Sequence, residues 1–128
     1  MSNEEIQRIL YVEDEPDIQA VAKLALEHVG RFTLEVCSSG QEALDKAAEF
    51  SPQLMLLDVM MPEMDGPTTL KKLRKVGGLE DTPAIFMTAR VQPHEIQEYI
   101  EMGAVDVIAK PFDPMTLSGQ ICEIWEKI

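Results

Sequence analysis

Short runs of consecutive apolar residues alternate along the chain with longer stretches in which apolar residues recur at helical spacing. Five of the short runs have the length of a β-strand, at residues 9–12, 32–37, 54–57, 84–87 and 105–109. Their apolar residues are mostly consecutive, as in parallel strands buried on both faces, instead of alternating with polar ones. The pattern therefore predicts five parallel strands.

The stretches between these runs carry helix signals. Ser39 with Glu42 forms a capping box, Pro93 suits the first turn of a helix, and Gly103 suits the end of one. We expect the last helix to begin at Pro114, behind a cap at Asp113. The positions expected to be buried are Ile18, Val21, Ala22, Ala25 and Val29 in the first helix, and Leu117, Ile121, Ile124 and Ile128 in the last.

Strand and helix alternate five times, which predicts right-handed crossovers with helices on both faces of one sheet. The predicted fold class is α/β, a doubly wound five-stranded parallel sheet. A chain of 128 residues without a repeat or a linker-like segment fits one domain over residues 1–128.

Composition narrows the classes of partner. Twenty-three acidic residues against eleven basic ones give a net charge of −12, which disfavours direct binding to nucleic acid and to anionic membranes. No apolar stretch approaches the length of a membrane span, and the acidic start of the chain is unlike a signal peptide, so we expect a cytoplasmic protein. Cys37 and Cys122 are expected to be reduced core residues.

Polar residues with reactive side chains stand at the ends of the predicted strands. Glu13 and Asp14 follow the first strand, Asp58 the third, Thr88 the fourth and Lys110 the fifth. Ligands of doubly wound sheets bind beyond the carboxyl ends of the strands. If the first and third strands are neighbours, about 5 Å apart, then Asp14 and Asp58 meet.

Charge balance at this edge points to a metal ion. Two carboxylates roughly 4 Å apart repel by about 4 kcal/mol at an effective dielectric near 20. Glu13, Asp14 and Asp58 contribute −3 and Lys110 returns one positive charge, so the remaining −2 matches one divalent cation. Mg²⁺ fits, with Mn²⁺ as an alternative, because it prefers carboxylate, phosphate and water oxygens. An Asp beside such a cation can attack a phosphoryl donor and form an aspartyl phosphate.

The motifs at the strand ends resemble the signature of response-regulator receiver domains, including the stand-alone members of that family. The matching segments are Val12-Glu13-Asp14-Glu15-Pro16, Leu57-Asp58, Met61-Pro62-Glu63-Met64-Asp65-Gly66, Thr88-Ala89 and Lys110-Pro111-Phe112. The resemblance spans nearly the whole chain and implies the flavodoxin-like strand order 2-1-3-4-5.

The resemblance also implies how the phosphoryl group is received. Asp58 would take it from a phosphohistidine on a sensor histidine kinase or a phosphotransfer domain. Asp14, Asp58 and the backbone carbonyl of Met60 would ligate Mg²⁺, whereas Glu13 would act through a bound water. Lys110, held by a cis bond to the following proline, would pair with Asp58 and then with the phosphoryl group.

The resemblance assigns the remaining groups to signalling. Thr88 and the backbone of Ala89 would bind phosphoryl oxygens and draw the following loop inward, switching the surface of the fourth helix, fifth strand and fifth helix for a downstream protein target. We expect a monomer or weak dimer that assists its own phosphorylation and dephosphorylation and is not otherwise an enzyme.

Three features depart from the family pattern or leave two interpretations open. Val107 stands where receivers usually carry an aromatic residue, so switching through a swinging ring is not expected. Met60 and Arg90 flank the route of water to the phosphoryl group, where bulk would shield it; the methionine could equally serve as packing. Tyr99 and Trp125 suit either the core or a partner interface.

Other functions compete with phosphoacceptance. A phosphatase of the haloacid dehalogenase type also uses a strand-end Asp with Mg²⁺, but it needs a second acid where this chain has Met60. A flavodoxin-like flavin binder would need a phosphate-binding loop in place of the acidic Glu13-Asp14-Glu15 segment. A pseudo-receiver that acts only as an interaction module stays open, because only a phosphorylation experiment can exclude it.

Overall fold

The computed structural model describes residues 5–128; residues 1–4, which include Glu4 of the acidic start of the chain, lie outside them. Strands and helices alternate throughout. Their bounds are β1 Arg8–Val12, α1 Pro16–Leu24, β2 Thr33–Cys37, α2 Gly40–Phe50, β3 Leu54–Asp58, α3 Gly66–Leu73, β4 Ala84–Thr88, α4 Pro93–Glu101, β5 Asp106–Ala109 and α5 Leu117–Glu126. α1 continues directly into a π-helical segment, Ala25–Val29.

The five strands form one parallel sheet in the order β2-β1-β3-β4-β5. The predicted fold class and strand order are thus confirmed. Every residue of β3 and of β4 is buried, which explains why these two strands are continuously apolar in sequence. Within residues 5–128, no helix is both long and apolar enough to cross a membrane.

Two apolar layers cover the sheet. Residues of one face pack with α2 and α3 around Leu57 and Phe86, and residues of the other face pack with α1 and α5 around Leu26 and Ile121. Tyr99 and Trp125 are half-buried and pack against the two cores, which favours the core interpretation for both.

Several local signals are confirmed. The Ser39 hydroxyl accepts a hydrogen bond from the Glu42 backbone N–H at 3.1 Å, α4 begins at Pro93, and Gly103 follows that helix with φ +115°. Glu42 binds back to the N–H of Ser38 instead of closing the box on Ser39. Cys37 is buried, Cys122 is half-buried, and both are free thiols, as expected.

Several boundaries and buried positions differ from the predictions. β2 begins after Phe32, whose N–H donates to the Leu26 carbonyl, and β5 begins after Val105. Val21 and Val29 are 44% and 46% exposed. The change to π-helical geometry after Leu24 shifts Val29 relative to the buried face of α1.

The last helix also starts later than its sequence suggests. α5 begins at Leu117 and not at Pro114, because the Asp113 carboxylate accepts the N–H of Met115 and fixes a turn before the helix. Leu117 and Ile121 are buried as expected, whereas Ile128 is 40% exposed beyond the end of the helix.

Candidate metal and phosphoacceptor site

Three carboxylates meet at the carboxyl edge of the sheet. β1 and β3 are neighbours, with Val12 opposite Leu57, so the residues that follow Val12 lie beside Asp58 at the end of β3. Glu13, Asp14 and Asp58 each present a carboxylate oxygen, and these oxygens lie within 4.8 Å of one another. Such a set of hard oxygen donors fits Mg²⁺. Asp14 and Asp58 are therefore close enough to share one ion.

Lys110 joins this cluster from the end of β5, the strand at one edge of the sheet. Its ammonium group donates to Glu13 Oε1 at 3.0 Å and to Asp58 Oδ1 at 3.1 Å. The Lys110 backbone N–H donates to the Thr88 carbonyl at 2.9 Å, and the bond from Lys110 to Pro111 is cis, as the resemblance implied. One ammonium thus bridges two of the three acids.

Burial makes the charge of Glu13 costly. Glu13 is fully buried, and Asp58 is 3% exposed. Burial raises the pKa of Glu13 to about 7; the hydrogen bond from Lys110 opposes this rise, and the charge of Asp58 adds to it. Burial lowers the pKa of Lys110, but its hydrogen bonds to Glu13 and Asp58 outweigh that effect, so the Lys110 pKa is raised overall.

The position of Glu13 is fixed by contacts that sequence reasoning missed. The Glu13 N–H donates to the Cys37 carbonyl at 3.0 Å, and its own carbonyl accepts a hydrogen bond from the Gln19 side chain. Its Oε2 accepts the Glu15 N–H at 3.2 Å. Sequence reasoning also missed the direct hydrogen bond between Lys110 and Glu13. The period of two along a strand could have placed Glu13 on the buried face of Tyr11, where a carboxylate needs a donor.

A tight turn supports Asp58 from behind. A Cβ atom added to Gly66 would lie 2.5 Å from the Asp58 carbonyl oxygen, so only glycine fits at the start of α3. The Gly66 N–H donates to the Val59 carbonyl at 2.9 Å and closes the loop. Met60 lies in this loop with its side chain 69% exposed, whereas Met61 is buried.

The end of β4 supplies the remaining predicted residues. β4 lies beside β3, with Asp58 opposite Met87, so Thr88 ends the neighbouring strand. Thr88 is buried, and its hydroxyl accepts the Arg90 N–H at 3.1 Å. Ala89 is exposed. The structure thus brings Glu13, Asp14, Asp58 and Lys110 together and places Thr88 on the adjacent strand end.

Comparison with known proteins identifies the family. The model of the response regulator receiver domain matches residues 9–121. The chain belongs to the response regulator receiver domain family. Receiver domains are signalling modules of two-component systems, and they bind Mg²⁺ at an acidic cluster such as the one formed here by Glu13, Asp14 and Asp58.

Solved receiver structures share the fold of this one. The chemotaxis response regulator CheY4 of Vibrio cholerae is 29% identical, with a TM-score of 0.85 over 94% of this chain and 99% of that chain. A response regulator from Desulfuromonas acetoxidans is 27% identical, with a TM-score of 0.83 over 95% of this chain and 98% of that one.

Curated relatives are longer than this chain. The transcriptional regulatory protein SrrA of Staphylococcus aureus is 42% identical over 114 residues, which cover 89% of this receiver domain and 44% of SrrA. The transcriptional regulatory protein YkoG of Bacillus subtilis is 40% identical over 113 residues, 88% of this chain and 48% of that protein. The receiver domain therefore spans less than half the length of these two relatives.

Proposed function

We propose that this receiver domain accepts a phosphoryl group on Asp58 from a phosphohistidine of a sensor histidine kinase or a phosphotransfer domain. One observation carries the proposal: a buried Asp58 carboxylate shares its edge of the sheet with two further acids and a bridging ammonium. Receiver domains interact with histidine kinases and downstream effectors, which fits this role.

The proposed transfer exchanges one bond to phosphorus for another. A carboxylate oxygen of Asp58 attacks phosphorus, the new O–P bond forms, and the P–N bond breaks with its electron pair going to the imidazole of the donor. Lys110 and Thr88 would stabilise charge on the phosphoryl oxygens, together with the backbone N–H of Ala89. In this way the chain assists its own phosphorylation and, with water as nucleophile, its dephosphorylation.

The cation would be held by Asp14, Asp58 and the backbone carbonyl of Met60, with Glu13 acting through a water molecule. Bound Mg²⁺, or Mn²⁺ in its place, supplies positive charge that offsets the crowded carboxylates and the incoming phosphoryl group. Within the chain, Lys110 can then move its hydrogen bonds from Asp58 to the phosphoryl oxygens.

Signal output is proposed to use the surface of α4, β5 and α5. Thr88 ends β4 immediately before the loop that leads to α4, so a change at its hydroxyl reaches this surface directly. Val107 is half-buried against the core and has no ring to swing. A groove of about 300 Å³ between these elements, lined by Ile100, Val105 and Ile124 among others, offers apolar contacts to a protein target.

The net charge and the receiver family also guide our proposals for the target, the location and the oligomeric state. The target is a protein and not nucleic acid, since the net charge of −12 repels phosphate backbones. We propose a cytoplasmic location and a monomer or weak dimer. A dehalogenase-type phosphatase is disfavoured because Met60 replaces the second acid that such an enzyme uses.

Phosphorylation by a small donor tests the proposal. The wild type is incubated with acetyl phosphate and Mg²⁺, and intact mass is followed before and after treatment with base. We expect a base-labile gain of one phosphoryl group on wild type and on the control Asp45→Asn, whose carboxylate is exposed on α2, and no gain on Asp58→Asn. No gain on wild type would identify a pseudo-receiver, and an equal gain on Asp58→Asn would remove the phosphoacceptor assignment.

A further inference from the structure

The hydroxyl group of Tyr11 is buried without a protein hydrogen-bond partner in the part of the chain that the structure describes. Tyr11 lies in the middle of β1 and its side chain is fully buried. Buried tyrosine hydroxyls usually find a partner, because an unpaired polar group in the core is costly. An unpaired hydroxyl at this depth therefore needs a reason.

Tyr11 lies beneath the carboxylate cluster. It precedes Glu13 by two residues, so both side chains stand on the same face of β1. Tyr11 pairs with Leu56 in the register of β1 and β3, and Asp58 lies two residues beyond Leu56 on that same face. A neutral phenol carries a hydroxyl proton, so Tyr11 can donate a hydrogen bond to a carboxylate on this face.

In this structure both carboxylate oxygens of Glu13 have other donors. The Lys110 ammonium donates hydrogen bonds to Glu13 Oε1 and to Asp58 Oδ1, and the Glu15 N–H donates to Glu13 Oε2. If the Lys110 ammonium moves its hydrogen bonds to a phosphoryl group on Asp58, the fully buried Oε1 of Glu13 loses its donor. A buried carboxylate oxygen without a donor is strongly unfavourable.

We propose that Tyr11 is a positioning residue of the phosphorylated state, whose hydroxyl donates to Glu13 when Lys110 turns to the phosphoryl group on Asp58. The inference rests on the proposed function of Asp58. A tyrosine that only fills the core predicts the opposite behaviour: removing its unpaired hydroxyl would be harmless or stabilising in every state.

Tyr11→Phe separates the two explanations because it removes only the hydroxyl. Melting temperature is measured without metal, and then with Mg²⁺ and increasing beryllium trifluoride as a phosphoryl analogue. The control is Tyr99→Phe, since Tyr99 packs edge-on against Phe86 with ring centroids 5.5 Å apart on the other core. We expect Tyr11→Phe to melt no lower than wild type without metal, yet to need about tenfold more analogue for the same stabilisation.

A spectroscopic measurement reads the hydrogen bond itself. In protein labelled with ¹³C at the tyrosine ζ carbon, the chain gives two tyrosine signals, and Tyr99→Phe leaves only that of Tyr11. We expect this signal to move when Mg²⁺ and the analogue are added to the Tyr99→Phe protein. This readout does not depend on how well Tyr11→Phe folds.

The outcomes distinguish the inference from the function on which it rests. If wild type is not stabilised by the analogue, the proposed function of Asp58 fails. If wild type and Tyr11→Phe respond equally and the Tyr11 carbon signal does not move, Tyr11 is only a core residue and Asp58 keeps its role.

Discussion

Neutralising Glu13 should remove a pH-dependent loss in the free energy of unfolding of the metal-free protein. Glu13 is fully buried beside Asp58, and burial raises its pKa to about 7 from an ordinary value of 4.5. The substitution Glu13→Gln keeps the shape of the side chain and an oxygen that can accept the hydrogen bond of Lys110, but it carries no charge.

The direction of the effect follows from proton binding. Between pH 4.5 and 7, Glu13 keeps its proton in the folded state and loses it in the unfolded state. Because the folded state binds more protons there, stability falls as pH rises through this window and levels off above pH 7. The difference between the two pKa values corresponds to about 3 kcal/mol.

Urea unfolding with a chelator present measures this loss. The single tryptophan, Trp125, reports unfolding by fluorescence, and the free energy of unfolding is determined from pH 5 to pH 8.5 for wild type and Glu13→Gln. Taking the difference between the two proteins cancels the titration of other groups. We expect the wild type to lose about 2.5 kcal/mol relative to Glu13→Gln across this range, because part of the full loss already occurs below pH 5.

Glu42→Gln is the matched control. The pKa of Glu42 is lowered by its hydrogen bonds from the Ser38 backbone and from Lys46, so this carboxyl is ionised in both states above pH 5. Its difference from wild type should stay constant over the range. A constant difference for Glu13→Gln as well would refute the argument that burial holds a proton on Glu13.

Three further predictions concern the same edge of the sheet. Asp58→Asn should raise the melting temperature of the metal-free protein by about 3 °C, because one of three crowded charges is lost; an unchanged or lower value means that the carboxylates do not strain the fold. Met60→Asn should shorten the lifetime of the acyl phosphate, and an unchanged dephosphorylation rate shows that the exposed Met60 side chain does not shield it. Gly66→Ala should lower stability by about 2 kcal/mol, since its Cβ would lie 2.5 Å from the Asp58 carbonyl oxygen, whereas Gly77→Ala, with open space around it, serves as the control in the same urea titration.

Local pattern was sufficient to predict the strands of the sheet and to place the candidate site residues at one edge of it. The buried strands β3 and β4 are readable because a strand covered on both faces must be apolar throughout. Asp58 and Thr88 stand out because they end those apolar runs with polar groups. Their assignment needed only the rule that ligands bind at the carboxyl ends of parallel strands.

Local pattern was insufficient where packing decides the outcome. Val21 and Val29 fit a helical pattern of apolar residues, but both are exposed, and a π-helical segment shifts Val29 away from the buried face of α1. Pro114 is an acceptable first residue of a helix, but the Asp113 carboxylate holds a turn there and delays α5 to Leu117.

The sequence by itself determined the alternating strands and helices, the family motifs and the acids placed at one edge. Only the tertiary structure decided that Glu13 is sealed from solvent and bonded to Lys110, a residue 97 positions away in the chain. The same is true of the unpaired hydroxyl beneath them at Tyr11. The physical reason is that burial and charge pairing depend on which distant segments come into contact, whereas hydrophobic periodicity and the ends of strands depend on local sequence.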